Sequence, residues 1–557
     1  MTQPPRENHV ERLLSLESEH GEDLFARGFF ISQAPPLYRP SAWVVGPPFR
    51  GFQVHHDPRV PLHVVGDEFA SLALLGEAFH LLRPSASGAE AARSLLSKLR
   101  QSSDALLSET DDLHGRFLVI YQREGGPPRL MNDATGMRVV FHNDGGTCLA
   151  SHASLLAVNV GNPELKSSDI RAKYGFPGRR TAYEGISVLI PNHTLALNNG
   201  ALERFYPRSA LPPMTSSEAA EAALPYLQSS VAAIVHRFSR TAASLTAGLD
   251  SRVTLAASRG LAGEIRYFTY YRPDVENDVV DTVIASRLAA RFALKHDVLN
   301  LGPTQTEATP KSFNELLREL TYYRHNPRAA YQYSQVLGPT VDAHMRSNVS
   351  EIGRAFYLKT HQIEGHLDSP VDLAATYLAE AVRNTTDASK RRIESDFRDF
   401  YDAGRFGDIA GLRDSRDMLY WEHRMASWHG LVVLESDPAF DSFSIFNSRR
   451  VLDVLLSPSL PERERGEHLR ILIQRSWPEL LSEPFNPRAT SLGVGYGRET
   501  SLPNTRGLVG DSHLEKAIAE LTQRAERAEA NFRRLRNRRS VRIALRLADL
   551  TKPFRKS

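Results

Sequence analysis

The sequence predicts an α/β protein in which an antiparallel β sandwich precedes a parallel-sheet domain with a helical C-terminal part. Between residues 26 and 208, short apolar runs are separated by Pro, Gly, Asn and Asp, as is typical of antiparallel sheets. Beyond residue 217, helical patterns alternate with short apolar strands, which indicates parallel strands joined by crossovers. A chain of 557 residues also exceeds what one compact core usually holds.

The individual elements follow this division. Strands are expected in the first domain at 115–123, 137–144 and 186–197, and in the second at 242–247, 264–271 and 297–301. Helices are expected at 223–240, 250–261 and 277–294, and through most of 305–480. Since serine is a preferred N-cap, Ser216 or Ser217 is expected to begin the helix that follows the first domain.

Shifts in composition divide the chain further. We expect a polar leader at 1–25, the sandwich domain at 26–208, the parallel-sheet domain at 217–484, a linker rich in Gly, Pro, Ser and Thr at 485–511, and a basic helical tail at 512–557.

The overall composition is that of a cytoplasmic globular protein, with 41% hydrophobic and 24% charged residues. No apolar run approaches the length of a transmembrane helix, and the N-terminal segment is too polar and acidic for a signal peptide. Cys148 is the only cysteine, so a disulfide within the chain and Cys-rich zinc sites are excluded.

The net charge of +3 is unevenly distributed along the chain. Residues 530–557 contain ten Lys or Arg and one Asp, so this segment carries +9 and the remainder carries −6. Its arginines alternate with apolar residues, which is compatible with a helix on an anionic membrane surface, a contact with a partner protein, or a solvated extension. A nucleic-acid partner is disfavoured, because nothing in the rest of the chain supports it.

The most informative short segment is Ser244–Arg252, which reads SLTAGLDSR and joins a predicted strand to a predicted helix. The backbone amides at such a junction point outward and suit a phosphate. Small residues at Ala247 and Gly248 allow close approach, and Thr246 and Ser251 can donate hydrogen bonds. Asp250 would repel an anion unless a divalent cation bridged them, so the loop predicts a nucleotide with Mg²⁺.

The segment 246–251 resembles the Ser-Gly-Gly-x-Asp-Ser loop of the ATP pyrophosphatase superfamily, with Thr for Ser and Ala for Gly. The order of segments across residues 26–500 resembles the asparagine synthetase family, whose N-terminal half is a glutaminase-like sandwich. The segments that carry this resemblance are 114–142 (including Asp133-Ala-Thr-Gly-Met-Arg138), 147–157, 185–207 and 443–481.

The resemblance implies a ligase that uses ATP to activate a carboxylate as an acyl-adenylate, which an amine then converts to an amide. It implies that Thr246, Ala247, Gly248 and Ser251 bind pyrophosphate and that Asp250 holds Mg²⁺. Leu245 and Tyr270 would contact adenosine, and Glu351 would be the second acidic metal ligand. Arg354 falls where the family has a metal-binding aspartate, and would bind pyrophosphate as a fixed cation.

Other departures bear on the reaction. The N-terminal cysteine of the family is absent, and its opening strand corresponds to the internal segment 27–33, so glutamine hydrolysis is expected to be lost. The amine need not then be ammonia. The late lysine is also missing from 466–470, and either Arg470 or Lys359 could replace it. The alternative is a non-catalytic scaffold or ATP-binding sensor, which the arginine and the missing lysine favour.

Overall fold

The computed structural model describes residues 6–161, 174–302, 309–322, 325–381 and 386–497. It is α/β, with two antiparallel sheets followed by a parallel one, as the sequence predicts. The antiparallel strands are β1 (Phe29–Ser32), β2 (Val44–Val45), β3 (Gln53–His56), β4 (Leu62–Gly66), β5 (Ala70–His80), β6 (Leu113–Arg123), β7 (Arg129–Asn132), β8 (Phe141–Asn143), β9 (Cys148–Ala150), β10 (Ile186–Val188), β11 (His193–Ala196) and β12 (Leu202–Arg204).

The antiparallel strands form two six-stranded sheets that share a core. One has the order β10-β8-β9-β1-β3-β2, and the other has the order β12-β11-β7-β6-β5-β4. Along β5, Ala73 and Leu75 pack with Ile31 of the first sheet, whereas Leu72 and Leu74 belong to a separate core on the opposite face. Since successive side chains of a strand point to opposite faces, this apolar strand serves two layers.

Helices cover the outer faces of the sandwich. They are α1 (Arg6–His20), α2 (Gly88–Gln101), α3 (Ser103–Glu109) and α4 (Ala153–Val160). Residues of α2 and α3 share the second core of β5, and α4 contacts β8 and β9. The predicted leader contributes α1, in which Leu13 and Leu16 are buried and Arg12 pairs with Glu319 at 2.7 Å.

Two predicted strands of the sandwich are shorter than expected, for reasons that lie in the turns. Residues 137–140 do not join β8, because the Asp133 carboxylate accepts the backbone amides of Met137 and Arg138 at 2.9 and 2.7 Å. The run 186–197 is split, since Asn192 has φ 71° and turns the chain. Its two halves, β10 and β11, therefore lie in different sheets.

The parallel sheet consists of β13 (Thr241–Ser244), β14 (Arg266–Tyr271), β15 (Lys295–Asn300), β16 (Ala343–Arg346) and β17 (Asp441–Ser444). Its order is β15-β14-β13-β16-β17, and all neighbouring pairs are parallel. β14 and β15 extend the sheet on one side of β13, and the chain then places β16 and β17 on the other side of β13. The order therefore reverses between β13 and β16, which is where ligands bind in sheets of this type.

The helices of this half are α5 (Ser216–Arg237), α6 (Leu249–Ala257), α7 (Glu276–Phe292), α8 (Lys311–Thr321), α9 (Pro327–Gln332), α10 (Phe356–His361), α11 (Pro370–Ala381), α12 (Asp387–Ala403), α13 (Ser415–Met418), α14 (Gly430–Ser436), α15 (Arg449–Leu456), α16 (Leu460–Arg465) and α17 (Glu467–Ser476). The expected N-cap at Ser216 or Ser217 is wrong. Thr215 caps α5 instead, in a reciprocal capping box with Glu218.

Buried polar contacts join the sandwich to the parallel-sheet half. The Arg116 guanidinium of β6 binds the Asp437 carboxylate at 2.5 and 2.7 Å and Asp441 at 2.9 Å, and all three residues are buried. The Trp421 indole donates to the carbonyl of Ala134 at 2.7 Å. Because each group has its partner in the other half, the two halves stabilise each other.

The basic helical tail predicted for 512–557, with its possible membrane or partner contact, lies outside the described residues. Within the described part of the chain, none of the helices combines the length and the apolar character needed to cross a membrane.

Candidate functional site

The predicted loop lies at the point where the strand order of the parallel sheet reverses. The chain leaves β13 at Ser244 and enters α6 with Gly248 at the N-cap position. Glycine has no side chain with which to cap the helix, so the first turn of α6 can offer its amides to an anion. The predicted strand–loop–helix junction is therefore present at the expected place in the sheet.

Hydrogen bonds within the loop fix its conformation. The Ser251 hydroxyl accepts the backbone amide of Thr246 at 3.1 Å and lies 2.9 Å from the Thr246 hydroxyl. The Thr246 hydroxyl in turn accepts the amide of Gly248 at 3.1 Å. The Asp281 carboxylate, on α7, accepts the amide of Ala247 at 2.8 Å. The loop is thus held in shape before any ligand arrives, which lowers the entropic cost of binding.

The position of Asp281 predicts a pH effect on stability. Burial raises the pKa of Asp281 to about 6, although the amide of Ala247 acts in the opposite direction. The folded protein therefore holds this proton more tightly than the unfolded chain, and stability falls as pH rises from about 4 to 6. An Asp281→Asn protein should gain stability relative to wild type across that range and keep the gain at higher pH.

Thermal melts at pH 3 to 7 measure this difference, and Asp342→Asn is the matched control of opposite sign. The hydrogen bond and charge of Arg240 hold the pKa of Asp342 below its ordinary value. Asp342→Asn should therefore lose stability relative to wild type as pH rises through about 4. Parallel curves for the two variants would contradict the account of Asp281.

A second loop brings three more polar groups to Asp250. It is the 3₁₀ turn Asn348–Arg354, which follows β16. The Ser350 hydroxyl donates to one oxygen of Asp250 at 2.7 Å, and Arg354 Nη1 donates to the other at 2.6 Å. The same Nη1 atom donates to Glu351 at 2.8 Å. Asp250, Glu351 and Arg354 are therefore neighbours, although about a hundred residues separate the two loops in sequence.

This arrangement does not fit a metal ion bridging Asp250 and Glu351. The guanidinium of Arg354 lies between the two carboxylates, where a bridging cation would lie. Burial and the negative charge of Asp250 raise the pKa of Glu351 to about 7, so its carboxylate is a weakened metal ligand. Among the described residues there is also no group of three His, Cys, Asp or Glu side chains that could hold a metal ion. Binding of Mg²⁺ by Asp250 and Glu351 stays a prediction.

A cavity of about 250 Å³ opens beside the loop. Of the predicted site residues, Thr246, Gly248, Asp250, Ser251, Tyr270 and Glu351 line it. Leu245, Ala247 and Arg354 do not. The backbone of Leu245 is used within the sheet, since its amide donates to Phe268 at 2.9 Å and its carbonyl accepts the Thr269 hydroxyl at 2.6 Å. Arg354 reaches the cavity only through the two carboxylates that it holds.

The lining of the cavity also contains residues that the sequence did not point to. They include His325, His344, Arg346, Glu435 and Ser436. A usable signal existed for Arg346, because a charged residue ends an otherwise buried strand. Trp428 reaches the cavity from the π-helix Leu419–His429, a rare form that often marks functional sites.

The first part of the predicted linker packs against the loop. The backbone amide of Asn486 donates to the carbonyl of Ala247 at 3.2 Å. The Arg252 guanidinium lies 4.0 Å from the ring centroid of Phe485 and donates to the carbonyl of Glu483 at 2.6 Å. Residues 483–486 therefore brace the loop, and Glu483 also pairs with Arg287 of α7 at 3.3 Å.

Neither proposed replacement for the missing lysine lines the cavity. Lys359 is an exposed residue. Partial desolvation of its ammonium group and the charge of Arg354 lower the pKa of that group. The Arg470 guanidinium lies 4.5 Å from the ring of Phe485. Both cations lie close to the two-loop site without entering it, so their roles stay predictions.

Comparisons with known proteins leave the family open. No family model matches the chain, and no curated protein matches it. Among solved structures, the chain is similar to that of NMN synthetase from Francisella tularensis, with 13% identity and a TM-score of 0.20. The similarity covers 38% of this chain and 96% of the other. A TM-score this low carries no evidence about function.

Proposed function

We propose that the protein binds ATP at the loop 246–251 and uses it to join a carboxylate to an amine. The observation that carries the proposal is the position of this loop. It lies at the carboxyl ends of β13 and β16, with two hydroxyls, an uncapped helix N-terminus and a cavity beside it. Such a junction suits the phosphates of a nucleotide.

In the proposed reaction, a carboxylate oxygen attacks the α-phosphorus of ATP and the bond to the β-phosphate breaks, which releases pyrophosphate. The amine then attacks the acyl carbon of the adenylate, loses a proton, and displaces AMP. The negative charge that builds on the leaving pyrophosphate would be stabilised by the hydroxyls of Thr246 and Ser251 and the first-turn amides of α6. Mg²⁺ enters this scheme as part of the Mg·ATP substrate.

We assign Arg354 an indirect role in nucleotide binding. Without it, the carboxylate pair of Asp250 and Glu351 would present uncompensated negative charge to the incoming phosphates. Its guanidinium bonds both carboxylates and so reduces that repulsion. In this proposal Arg354 neutralises the two carboxylates, as a bridging metal ion would otherwise do.

Glutamine hydrolysis is not part of the proposal. Cys148 lies on β9, paired with Ser32 of β1, and burial raises the pKa of its thiol above the ordinary value. A protonated, half-buried thiol is a poor nucleophile. The amine is therefore proposed to enter as a substrate.

The experiment that tests the ligase is exchange of labelled pyrophosphate into ATP, with pooled amino acids and simple dicarboxylates as probe acids. Exchange by wild type that is reduced at least tenfold in Ser251→Ala would support the proposal, because reversal of adenylation requires the loop. ATP binding without exchange for any pool would support the alternative, an ATP-binding sensor or scaffold, which the arginine between the two carboxylates favours.

A further inference from the structure

The cavity also contains a buried positive charge for which the described residues supply no counter-ion. Arg346 ends β16 and is only 8% exposed. Its nearest hydrogen-bond acceptor is the Ser436 hydroxyl, at 3.4 Å from Nη2, and its Nε atom has no partner in the described part of the chain. A buried guanidinium is costly unless an anion pairs with it.

The acidic residues that line the same cavity do not supply that anion. Asp250 and Glu351 are bonded to Arg354. The Glu435 carboxylate accepts the backbone amides of His325 and Asn326, the second at 3.0 Å. Across residues 6–161, 174–302, 309–322, 325–381 and 386–497, Arg346 forms no ion pair with any carboxylate.

A second polar group in the cavity also has no partner in the described ranges of the chain. His344 is two residues before Arg346 on β16, is 2% exposed and lines the cavity. Neither of its ring nitrogens has a hydrogen-bond partner among the described residues. Its ring is held between Phe268 and Phe440, at centroid distances of 4.9 and 5.0 Å. Burial lowers its pKa far below the ordinary value, so the ring is neutral and offers one donor and one acceptor.

We propose that Arg346 and His344 form a second subsite, in which the guanidinium pairs with an anionic oxygen group, a carboxylate or a phosphate, of a ligand other than the ATP held at the loop. If the proposed function holds, this ligand is the carboxylate substrate, and only that identification rests on the proposed function. Arg346 suits the task, because its planar fork matches a carboxylate or phosphate and its charge is already desolvated. His344 would bind a neighbouring polar atom of the same ligand.

The test compares thermal melts of wild type and Arg346→Met, each alone and with 50 mM phosphate, 50 mM succinate or 5 mM ATP. Methionine removes an unpaired buried charge but keeps the side-chain length, so the variant alone should melt at or above wild type, by about 1–3 °C. Phosphate or succinate should raise the melting temperature of wild type, and this rise should vanish in Arg346→Met. Arg346→Lys should keep part of it.

Two further variants separate this subsite from the loop and from a structural role. Thr246→Val should lose most of the response to ATP but keep the response to the small anion. Arg346→Met should keep the response to ATP but lose the response to the small anion. A response to succinate alone identifies a carboxylate ligand, and a response to phosphate alone identifies a phosphorylated one. Arg116→Met, which removes a paired buried arginine, should melt far below wild type.

Three results would overturn the subsite. One is a melting temperature for Arg346→Met as low as that of Arg116→Met, which would make Arg346 structural. The second is a rise in melting temperature of Arg346→Met with phosphate and with succinate that is as large as that of wild type. The third is no response of wild type to either small anion. A failure of ATP to bind wild type would count against the proposed function and leave the anion response to be judged separately.

Discussion

Replacing Arg116 with methionine is expected to lower the free energy of unfolding by about 3–5 kcal/mol, the usual cost of breaking a buried ion pair. The change leaves the carboxylates of Asp437 and Asp441 buried without the guanidinium that bonds both. Burial already raises the pKa of Asp437, and the charge of Arg116 is the largest influence that lowers it. Because Arg116 belongs to the sandwich and both aspartates to the other half, the loss should loosen their association.

Urea unfolding followed by tryptophan fluorescence measures this change, with Arg240→Met as the matched control. Arg240 also pairs with one aspartate, Asp342, but its side chain is 52% exposed. Loss of such an exposed pair should cost far less than loss of the buried one, because solvent screens the interaction. Equal unfolding midpoints for the two variants would show that burial of the Arg116 pair contributes no extra stability.

Replacing Arg354 with methionine is expected to weaken ATP binding about 100-fold when no divalent cation is present, because uncompensated carboxylate charge would then repel the phosphates. Asp250 and Glu351 would then face the phosphates without neutralisation. The same change frees both carboxylates for a metal. Mg²⁺ or Mn²⁺ should therefore restore much of the affinity in the variant, and should matter less in wild type.

Calorimetric titrations with ATP, with and without 5 mM Mg²⁺, measure both effects. Arg470→Met is the control, because Arg470 lies near the two loops but bonds neither carboxylate in the described structure. Unchanged ATP affinity in Arg354→Met without metal would show that the arginine does not neutralise the site. Equal dependence on Mg²⁺ in both proteins would instead favour a metal held by Asp250 in the presence of Arg354.

Local patterns were sufficient to predict the sheets and the main loop. The apolar run at 115–123 corresponds to β6, and the segment 264–271 contains all of β14. Both patterns depend only on neighbours in sequence. The boundary of β8 was wrong because the Asp133 carboxylate, several residues earlier, holds the amides that would have extended the strand.

The candidate site was predictable only where a contiguous motif marks it. Thr246–Ser251 could be found because its residues are adjacent, and Glu351 and Arg354 because they follow a second strand in a recognisable order. Asp281 belongs to the site through the packing of α7, and nothing in its local sequence separates it from ordinary charged residues. Arg346 is marked as a charged residue at the end of a buried strand, but its place in the site depends on the packing of β16. The pairing of Arg354 with two carboxylates is likewise a tertiary contact, so the sequence left open whether a metal or an arginine fills that place.

The measurement that tests the central claim most directly is calorimetric titration of ATP into wild type and Thr246→Val. Valine keeps the shape of threonine and removes the hydroxyl that accepts the amide of Gly248 and contacts Ser251. We expect saturable binding to wild type with Kd below about 1 mM, and binding about tenfold weaker in a variant that melts within a few degrees of wild type. The absence of any binding heat with wild type at millimolar ATP, with or without Mg²⁺, would show that Thr246–Ser251 is a structural turn.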